Sequence, residues 1–303
     1  MPQLHDDEVQ TTPDQVRRLV AEQFPHWAHL AVTPGPAGGT DHLLYRLGDE
    51  LLVRMPKIAW AAEQAVNDAR WLPILAPHVP LAVPAPLTVG EPADGYPFQW
   101  SVVPWLPGEP PTADNTDQDG GARTLAAFVT ALRGVDPAGG PVTDGTSRGV
   151  PLERLDDAVR RASVAAGSRL EVPLGDGRRA GAEAVTRVWD RALGAWPASG
   201  GAWIHGDLLP GNLLAHGRRL AAVIDWGGIG VGDPAADLIP AWTLFRGTAR
   251  AAFRASAGLD DAWERARGWV LVEAVIALPY YWDRWPEFAR ASQARIAAVL
   301  QDE

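Results

Sequence analysis

The chain has 303 residues, of which 47% are hydrophobic and 21% charged, and it contains no cysteine. This composition is typical of a globular protein with one large domain or two lobes, and it excludes disulfides, thiolate metal sites and cysteine nucleophiles. The formal net charge of −10 disfavours a nucleic-acid partner, because phosphate binding needs clustered Lys and Arg. The acidic amino terminus has no secretory signal pattern, and no apolar stretch is long enough for a membrane span. We therefore expect a cytoplasmic protein without a membrane partner.

The first third of the chain predicts mainly β-structure. Residues 40–55 predict two strands joined across Gly48 and Asp49, because apolar residues flank a turn-forming break. Residues 59–72 have apolar side chains at helical spacing and predict a helix, which Pro73 should end or kink. Short strands separated by prolines are predicted to follow.

The rest of the chain predicts helices separated by Gly and Pro clusters, at residues 120–134, 152–166, 179–196, 261–278 and 286–301. Between the third and fourth helices the sequence contains short strand-like pieces. A β-rich part followed by a larger helical part predicts the α+β class. The proline-rich segment that begins at Pro104 marks the expected boundary, so we predict one lobe at 1–108 and a second at 109–303.

The segment 204–237 carries the most informative motif. His205, Asp207 and Asn212 form the pattern H-x-D-x-x-x-x-N, and Asp225 follows in the sequence IDWG. Phosphoryl transfer needs a carboxylate that receives the proton of the acceptor hydroxyl, and oxygen ligands that hold Mg²⁺. Asp207 is the candidate base, because it lies five residues before Asn212 as in the kinase catalytic loop. Asn212 and Asp225 are the candidate metal ligands.

The segments HGDLLPGN, IDWGGIGVGDPAADL and LLVRMP resemble the aminoglycoside phosphotransferase family, which is itself similar to choline, homoserine and macrolide kinases. The resemblance extends over nearly the whole chain and is sharpest at 204–237. It implies a bilobal protein-kinase-like fold, with a small β-rich nucleotide-binding lobe, a hinge at 104–108, and a larger, mainly helical lobe for catalysis and acceptor binding. It also implies a small-molecule kinase that phosphorylates an alcohol group, uses ATP or GTP, and requires Mg²⁺.

Carried onto this chain, the resemblance implies that Asp207 is the catalytic residue and that Asn212 and Asp225 bind Mg²⁺. His205 is expected to brace the catalytic loop. Asp233 and Asp237 are expected to have structural roles. They would accept hydrogen bonds from backbone groups and cap the helix that begins there.

The predicted third strand departs from the family pattern, because Arg54 stands where the family has a phosphate-binding Lys. An Arg still contacts phosphates, but its planar fork imposes a different geometry. Lys57 is the weaker candidate for the same role. Of the two possible carboxylate partners, we prefer Asp68 to Glu63, because Asp68 shares a helical stripe with apolar residues. Ordinary surface charges remain the alternative for both acids.

Two further segments are expected to contact the nucleotide. The small-residue loop GPAGGT, with Gly39 and Thr40, lacks a Walker or G-x-G-x-x-G spacing and by itself predicts only a turn. In this context its backbone N–H groups are expected to cover the phosphates. The resemblance places the nucleobase against the hinge, at the carbonyl of Pro104 and the N–H of Leu106. Pro104 has no N–H and can only accept a hydrogen bond.

The acceptor is expected beyond Asp207, against the carboxy-terminal helices. Glu273, Asp283 and Glu287 are candidates to bind a cationic acceptor, although each is equally compatible with a solvated helix charge. We single out Asp283, because its aromatic neighbours in YYWDRW would partly shield it from water. Trp242, Trp282 and Trp285 are candidates for the pocket wall, with core packing preferred.

We carry three hypotheses for the function. The first is a phosphotransferase that acts on an aminoglycoside-like antibiotic, and the second is a macrolide kinase or a metabolite kinase. The third, from another class, is a non-catalytic nucleotide-binding homologue, which Arg54 in place of Lys would favour. We expect a monomer or a dimer.

Overall fold

The computed structural model describes residues 8–36, 41–145, 147–195 and 200–302. The chain divides into two compact units, which comprise Met1–Gly108 with Ala222–Gly227, and Glu109–Ala221 with Gly228–Glu303. The segment 222–227, which the sequence analysis placed in the second lobe, thus belongs to the first unit. A parallel bridge joins Ala222 to Ala82, and the Val223 N–H donates to the Ala82 carbonyl at 3.0 Å. In the described ranges, no helix is both long and apolar enough to cross a membrane.

The first unit contains a five-stranded antiparallel sheet with the strand order β1-β2-β3-β5-β4. Its strands are β1 (Val32–Pro34), β2 (His42–Leu47), β3 (Leu51–Pro56), β4 (Thr88–Gly90) and β5 (Trp100–Pro104). The predicted hairpin is confirmed, because β2 and β3 pair from His42 opposite Pro56 to Leu47 opposite Leu51.

Two helices accompany this sheet. Helix α1 (Pro13–Gln23) begins at Thr12, whose side chain accepts a hydrogen bond from the Gln15 N–H, and it buries one face in the core that contains the sheet. Helix α2 (Ala59–Leu75) extends two residues past Pro73, so the first of the two predicted effects of this proline, an end rather than a kink, is wrong. Burial of Trp71, Leu72 and Leu75 stabilises the last turn, despite the hydrogen bond that Pro73 cannot donate.

The second unit is mainly helical. Its helices are α3 (Gln118–Arg133), α4 (Asp156–Ala166), α5 (Ala182–Gly194), α6 (Pro240–Thr243), α7 (Gly247–Ala257), α8 (Trp263–Val275), α9 (Leu278–Tyr281) and α10 (Pro286–Leu300). All five predicted helices are present with shifted ends. Helix α7 was not predicted, although its buried residues lie four apart, as on one face of a helix: Ala249, Phe253 and Ala257.

Short strands form three two-stranded sheets in the rest of the chain. They are β6 (Val172–Pro173) with β7 (Arg179–Ala180), β8 (Ala202–Ile204) with β11 (Gly230–Gly232), and β9 (Leu213–His216) with β10 (Arg219–Val223). The segment between β8 and β9 contains the H-x-D-x-x-x-x-N motif, so two short strands fix the ends of this loop.

Helix α8 is the centre of the second unit, and each of its residues except Glu264 is buried. Its Arg265 forms a two-pronged ion pair with Asp233, with Nε to Oδ2 at 2.8 Å and Nη2 to Oδ1 at 3.1 Å. Asp233 also accepts from the Ala235 N–H at 3.0 Å and so caps the short helix that begins there, as the sequence predicts. The buried charges are therefore matched.

We predict that Arg265→Met lowers the free energy of unfolding by about 3–5 kcal/mol, because it leaves the buried Asp233 carboxylate without its partner. Arg161→Met is the matched control, since Arg161 forms an exposed ion pair with Asp157 one turn earlier on α4, at 3.5 Å. This control should leave stability nearly unchanged. Urea denaturation of both variants measures the difference, and equal midpoints would contradict the prediction.

Candidate active site

Arg54 lies on β3, and a buried carboxylate holds its guanidinium. Nη1 donates to Oδ2 of Asp68 at 2.9 Å, and the Asp68 side chain on α2 is fully buried. The predicted ion pair is thus present, whereas the alternative partner Glu63 is exposed. Burial raises the pKa of Asp68 to about 6, although Arg54 opposes this shift. Because breaking a buried pair leaves an uncompensated charge, this contact fixes the guanidinium in position.

Gln64 and Asp225 complete the surroundings of Arg54 in the first unit. Nη2 of Arg54 lies 3.8 Å from Oδ1 of Asp225, whose side chain is half exposed. The amide oxygen of Gln64 faces two donors. It accepts from Nη2 of Arg54 at 3.3 Å and from the Gly227 N–H at 2.8 Å. Asp225 has a φ of 59°, in the left-handed region that Asp tolerates better than most residues. Strained backbone of this kind is concentrated at functional sites.

His42 and Lys57 lie close to Arg54. His42 is on β2, Lys57 follows β3, and both side chains are buried. Burial, Arg54 and Lys57 all lower the pKa of His42 well below its ordinary value, so the imidazole is neutral at pH 7. Two cations, Arg54 and Lys57, therefore act on this part of the first unit.

The hinge residues follow the last strand of the sheet. Pro104 is the last residue of β5, and the N–H of Trp105 donates to the main-chain carbonyl of Glu50 at 2.7 Å. Within the described part of the chain, the next N–H, that of Leu106, has no backbone acceptor. The loop residues predicted to cover the phosphates lie outside the described residues: Gly39 and Thr40.

Asp207 and Asn212 lie together in the loop between β8 and β9. Nδ2 of Asn212 donates to both the main-chain carbonyl and Oδ2 of Asp207, each at 2.8 Å. Oδ1 of Asp207 is buried and has no hydrogen-bond partner among the described residues. One oxygen of the carboxylate is therefore held by Asn212, and the other has no hydrogen-bond partner in the described ranges.

The buried carboxylate of Asp237 shapes the turn before Asp207. Its Oδ2 accepts from the His205 N–H at 2.8 Å, and its Oδ1 accepts from the Gly206 N–H at 2.7 Å. The Asp207 N–H in turn donates to Nδ1 of His205 at 3.2 Å. Burial raises the pKa of Asp237, whereas His205 and the two backbone hydrogen bonds lower it. His205 and Asp237 thus brace the loop, as the sequence predicts.

The oxygen atoms of Asn212 and Asp225 suit Mg²⁺. Because Nδ2 of Asn212 donates to Asp207, the side-chain oxygen is the part of this amide that remains for a cation. The Asp225 carboxylate is half exposed. Mg²⁺ prefers such ligands and usually completes its shell with water and phosphate oxygens. Over the described ranges, no group of three or more His, Asp or Glu side chains could hold a metal.

Glu273, one of the three carboxylates predicted to bind a cationic acceptor, is buried on α8 and ion-paired. Nη2 of Arg148 donates to its Oε2 at 2.8 Å, and Nε of Arg148 contacts Oε1. Burial raises the pKa of Glu273 to about 7, and Asp207 adds to this shift, whereas Arg148 and Arg295 oppose it. The carboxylate therefore already has a cationic partner.

The other two carboxylates lie near the surface. The Asp283 side chain is 87% exposed and lies 3.8 Å from Arg169. The prediction that aromatic neighbours shield Asp283 is therefore wrong, because it lies in the turn after α9 and the adjacent Trp282 packs under Arg169 instead, at 5.0 Å. Glu287 is exposed on α10.

The tryptophans considered for a pocket wall have different surroundings. Trp242 is buried, packs against Trp263 with ring centroids 4.4 Å apart, and donates to Asp302 at 3.1 Å, so it belongs to the core. Trp285 packs in an aromatic group with Tyr281 and Phe288.

Sequence reasoning missed three polar residues close to the predicted site residues. Gln64 precedes Asp68 by one helical turn, so helical periodicity would have identified it. Arg148 and Arg295 carry no local signal. They come from a loop and from α10, and only the folded chain brings them close to Glu273.

Comparison with known proteins gives the family. Residues 33–293 match the family described as a phosphotransferase enzyme family, abbreviated APH. The chain belongs to this family, and the predictions of family and of a phosphotransferase are confirmed. A relative in Bacillus subtilis (strain 168), the uncharacterized protein YcbJ, is 28% identical over 175 residues. This match covers 55% of the chain, and the chain spans about half the length of that relative (51%).

Solved structures with the same fold include two phosphotransferases. The GDP complex of aminoglycoside 2'-phosphotransferase-IIIa has a TM-score of 0.70 at 17% identity, over 96% of this chain and 99% of that one. Macrolide 2'-phosphotransferase MphH from Brachybacterium faecium has a TM-score of 0.59 at 23% identity, over 95% and 97% of the two chains. The predicted bilobal, kinase-like α+β fold is confirmed.

We predict that Arg54 and Asp68 are coupled in nucleotide binding. In a double-mutant cycle of Arg54→Gln and Asp68→Asn, the effects on nucleotide KM and kcat should depart from additivity by about 1 kcal/mol or more, because the two groups form one buried contact. A parallel cycle of Arg54→Gln with Glu63→Gln is the control and should be additive. Additive effects in the Asp68 cycle would remove this residue from the site.

We also predict that Gly206→Ala disrupts the catalytic loop. Gly206 has a φ of 83°, and a Cβ there would lie 2.7 Å from the Gly228 carbonyl oxygen and 2.9 Å from the Arg148 Cβ. The variant should unfold at lower urea concentration, by about 1–3 kcal/mol, and lose activity. Gly211→Ala, in the same loop but with open space around its Cβ, is the control. Equal stability of the two variants would contradict this view of the turn.

Proposed function

We propose that the protein transfers the γ-phosphoryl group of Mg²⁺-bound ATP or GTP to a hydroxyl group of a small molecule. The observation that carries the proposal is the Asp207 carboxylate, whose Oδ2 is held by Asn212 at 2.8 Å while Oδ1 has no partner among the residues described. Membership of the phosphotransferase family supports this chemistry. The GDP complex of the aminoglycoside enzyme supports a nucleotide as co-substrate.

In the proposed reaction, Asp207 orients and deprotonates the acceptor. The acceptor hydroxyl donates to Oδ1, and its proton passes to the carboxylate as the new O–P bond forms. The bond from the γ-phosphorus to the bridging oxygen breaks, and the nucleoside diphosphate leaves with that oxygen. Asn212 holds Oδ2 of the carboxylate by one hydrogen bond and the main-chain carbonyl of Asp207 by another, which limits rotation of the side chain and leaves Oδ1 for the acceptor.

The remaining predicted residues are proposed to bind the nucleotide and the metal. Asp68 and Gln64 bond two of the five guanidinium N–H groups of Arg54, which leaves donors for the phosphates. Asn212 and Asp225 would hold Mg²⁺, which neutralises phosphate charge when it is bound. The nucleobase would lie against Pro104 and Leu106, and the phosphates against the segment that contains two further predicted residues, Gly39 and Thr40.

Two antibiotic classes are the first acceptors to test, since the structural neighbours are aminoglycoside and macrolide phosphotransferases. Hydroxylated metabolites of the choline or homoserine type are next. A non-catalytic nucleotide-binding protein is disfavoured, because it would have no chemical use for the Asp207 carboxylate. We place the reaction in the cytoplasm, where cells keep their nucleoside triphosphates.

The reaction is tested by measuring nucleoside diphosphate release and phosphorylated product. Purified protein is incubated with ATP or GTP, with and without Mg²⁺, against kanamycin, erythromycin, choline and homoserine. Mg²⁺-dependent release that rises with one acceptor supports the proposal. Nucleotide binding without any turnover, across all nucleotides and acceptors, would favour the non-catalytic alternative.

We predict that Asp207→Asn lowers kcat by about 10²–10⁴-fold and leaves the nucleotide KM nearly unchanged, because the amide keeps the shape but cannot receive the proton. Asp157→Asn, at an exposed position on α4, is the control and should retain full activity. If Asp207→Asn kept most of its turnover, another group would have to be the base.

A further inference from the structure

A group of charges, of which Glu273 is buried and Arg148 and Arg295 are partly buried, lies beside Asp207 in the second unit. We call Arg148, Glu273 and Arg295 the Arg295 cluster. Arg148 adjoins the turn before Asp207, because a Cβ on Gly206 would lie 2.9 Å from the Arg148 Cβ. Arg148 is ion-paired with Glu273, with Nη2 to Oε2 at 2.8 Å. The cluster therefore adds two cations and one carboxylate to the surroundings of the catalytic Asp.

Arg295 has a nitrogen without a hydrogen-bond partner, whereas the unbonded atoms of Arg148 and Glu273, Nε and Oε1, are in ion-pair contact with each other. It lies on α10, which packs against α8, the helix of Glu273. Its Nη1 is buried, and no hydrogen-bond partner for it occurs in the described ranges. Burial lowers the pKa of Arg295, whereas the charges of Glu273 and Asp207 raise it, so both carboxylates lie within electrostatic reach.

A second buried polar group on the same helix is also unbonded. Ser292 lies three residues before Arg295, is fully buried, and its Oγ has no partner among the described residues. On a helix, residues three apart share a face. Two unbonded polar groups therefore share one buried face of α10, and burying such groups costs free energy unless a ligand or water bonds them.

Buried nitrogens without a hydrogen-bond partner also occur on other arginines of this unit, namely Nη1 of Arg133, Nε of Arg267 and Nε of Arg148, the last of which contacts Glu273. Arg265 forms the two-pronged pair with Asp233. Arg267 bonds Glu264 at 3.2 Å and the Val299 carbonyl at 3.1 Å. Arg295 differs from Arg133 and Arg267 in that the charges of Asp207 and Glu273 act on it and that Ser292 adds a second unbonded group on the same helix.

We propose that Arg295 binds an anionic oxygen of the acceptor, belonging to a carboxylate or phosphate group near the hydroxyl that is phosphorylated. This inference depends on the proposed function, because it assigns the acceptor class of the same site. A carboxylate or phosphate oxygen supplies the hydrogen-bond acceptor that Nη1 lacks, in a charge-assisted bond. The hydroxyl of such a ligand then reaches the open oxygen of Asp207.

A polyamine acceptor fits this cluster poorly. Its ammonium groups would meet Arg148 and Arg295, and the buried carboxylate of Glu273 is already ion-paired. The exposed acids expected to attract a cation do not change this, because Asp283 lies 3.8 Å from Arg169. Like charges placed close together in a buried site repel strongly.

The acceptor class is tested with pairs of compounds that differ mainly in charge. Phosphoryl transfer from Mg²⁺-ATP and Mg²⁺-GTP is measured for glucuronate against glucose, glycerate against glycerol, glycerol 3-phosphate against glycerol, and kanamycin. We expect the anionic member of at least one pair to have a kcat/KM about tenfold or more above its neutral partner and above kanamycin. The carboxylate and phosphate pairs separate the two sources of anionic oxygen.

The role of Arg295 is tested with Arg295→Gln, Arg295→Lys and the control Arg290→Gln, an exposed arginine on the same helix. Arg295→Gln should raise the KM for the anionic acceptor about 10- to 100-fold, the usual effect of losing a hydrogen bond to a charged group. The nucleotide KM should stay within about twofold. Arg295→Lys should restore part of the affinity, and Arg290→Gln should match the parent protein.

A binding measurement decides the case in which no compound of the panel is phosphorylated. Sulfate is titrated calorimetrically into protein saturated with a non-hydrolysable Mg²⁺-ATP analogue, which fills the nucleotide site. Binding that weakens tenfold or more in Arg295→Gln and is unchanged in Arg290→Gln supports the inference. Equal sulfate binding by the two variants, or a preference for kanamycin over every anionic compound, overturns it. Failure of the proposed function is a separate result, namely that the parent protein neither hydrolyses nor binds nucleotide.

Discussion

The chemistry of the second unit depends on one buried carboxylate, that of Asp237. It accepts the N–H groups of two successive residues, His205 and Gly206, at 2.8 and 2.7 Å, and so fixes the turn that leads to Asp207. Without this acceptor, two buried backbone donors would be unsatisfied, and the loop would have other conformations available. The position of Asp207 is therefore set by a residue that lies thirty positions later in the chain.

The first unit uses a buried carboxylate in the same way. Asp68 has no exposed surface and holds Arg54 at 2.9 Å, while Gln64 on the previous turn bonds a second nitrogen of the same guanidinium. An Arg suits this position because its planar fork bonds several partners at once, whereas a Lys would offer a single point charge. The departure from the family's Lys is thus accompanied by contacts that use the additional donors of Arg54.

Much of the fold and part of the site could be predicted from the sequence, because their signals are local. The β2–β3 hairpin and the five helices follow from turn residues and helical spacing, whereas the pairing of Arg54 with Asp68 follows from the family resemblance together with helical spacing. The end of α2 could not be predicted, because burial of its last turn outweighs Pro73. Asp283 was misjudged, because apolar neighbours in sequence need not be neighbours in space. The Arg295 cluster has no local signal, since its members are more than twenty residues apart in sequence. The roles of the site residues in binding nucleotide and metal remain predictions.

The close approach of Gly206 and Gly228 constrains how this sequence can change over time. A Cβ on Gly206 would meet the carbonyl oxygen of Gly228 at 2.7 Å, and a Cβ on Gly228 would meet the carbonyl oxygen of His205 at 2.9 Å. In each case the obstacle is backbone, which no substitution at the other position can remove. A substitution at one glycine therefore cannot compensate for a substitution at the other. Neither glycine can be replaced in any sequence that keeps this turn. Homologues that retain the turn should carry both glycines, whatever acceptor they have come to use.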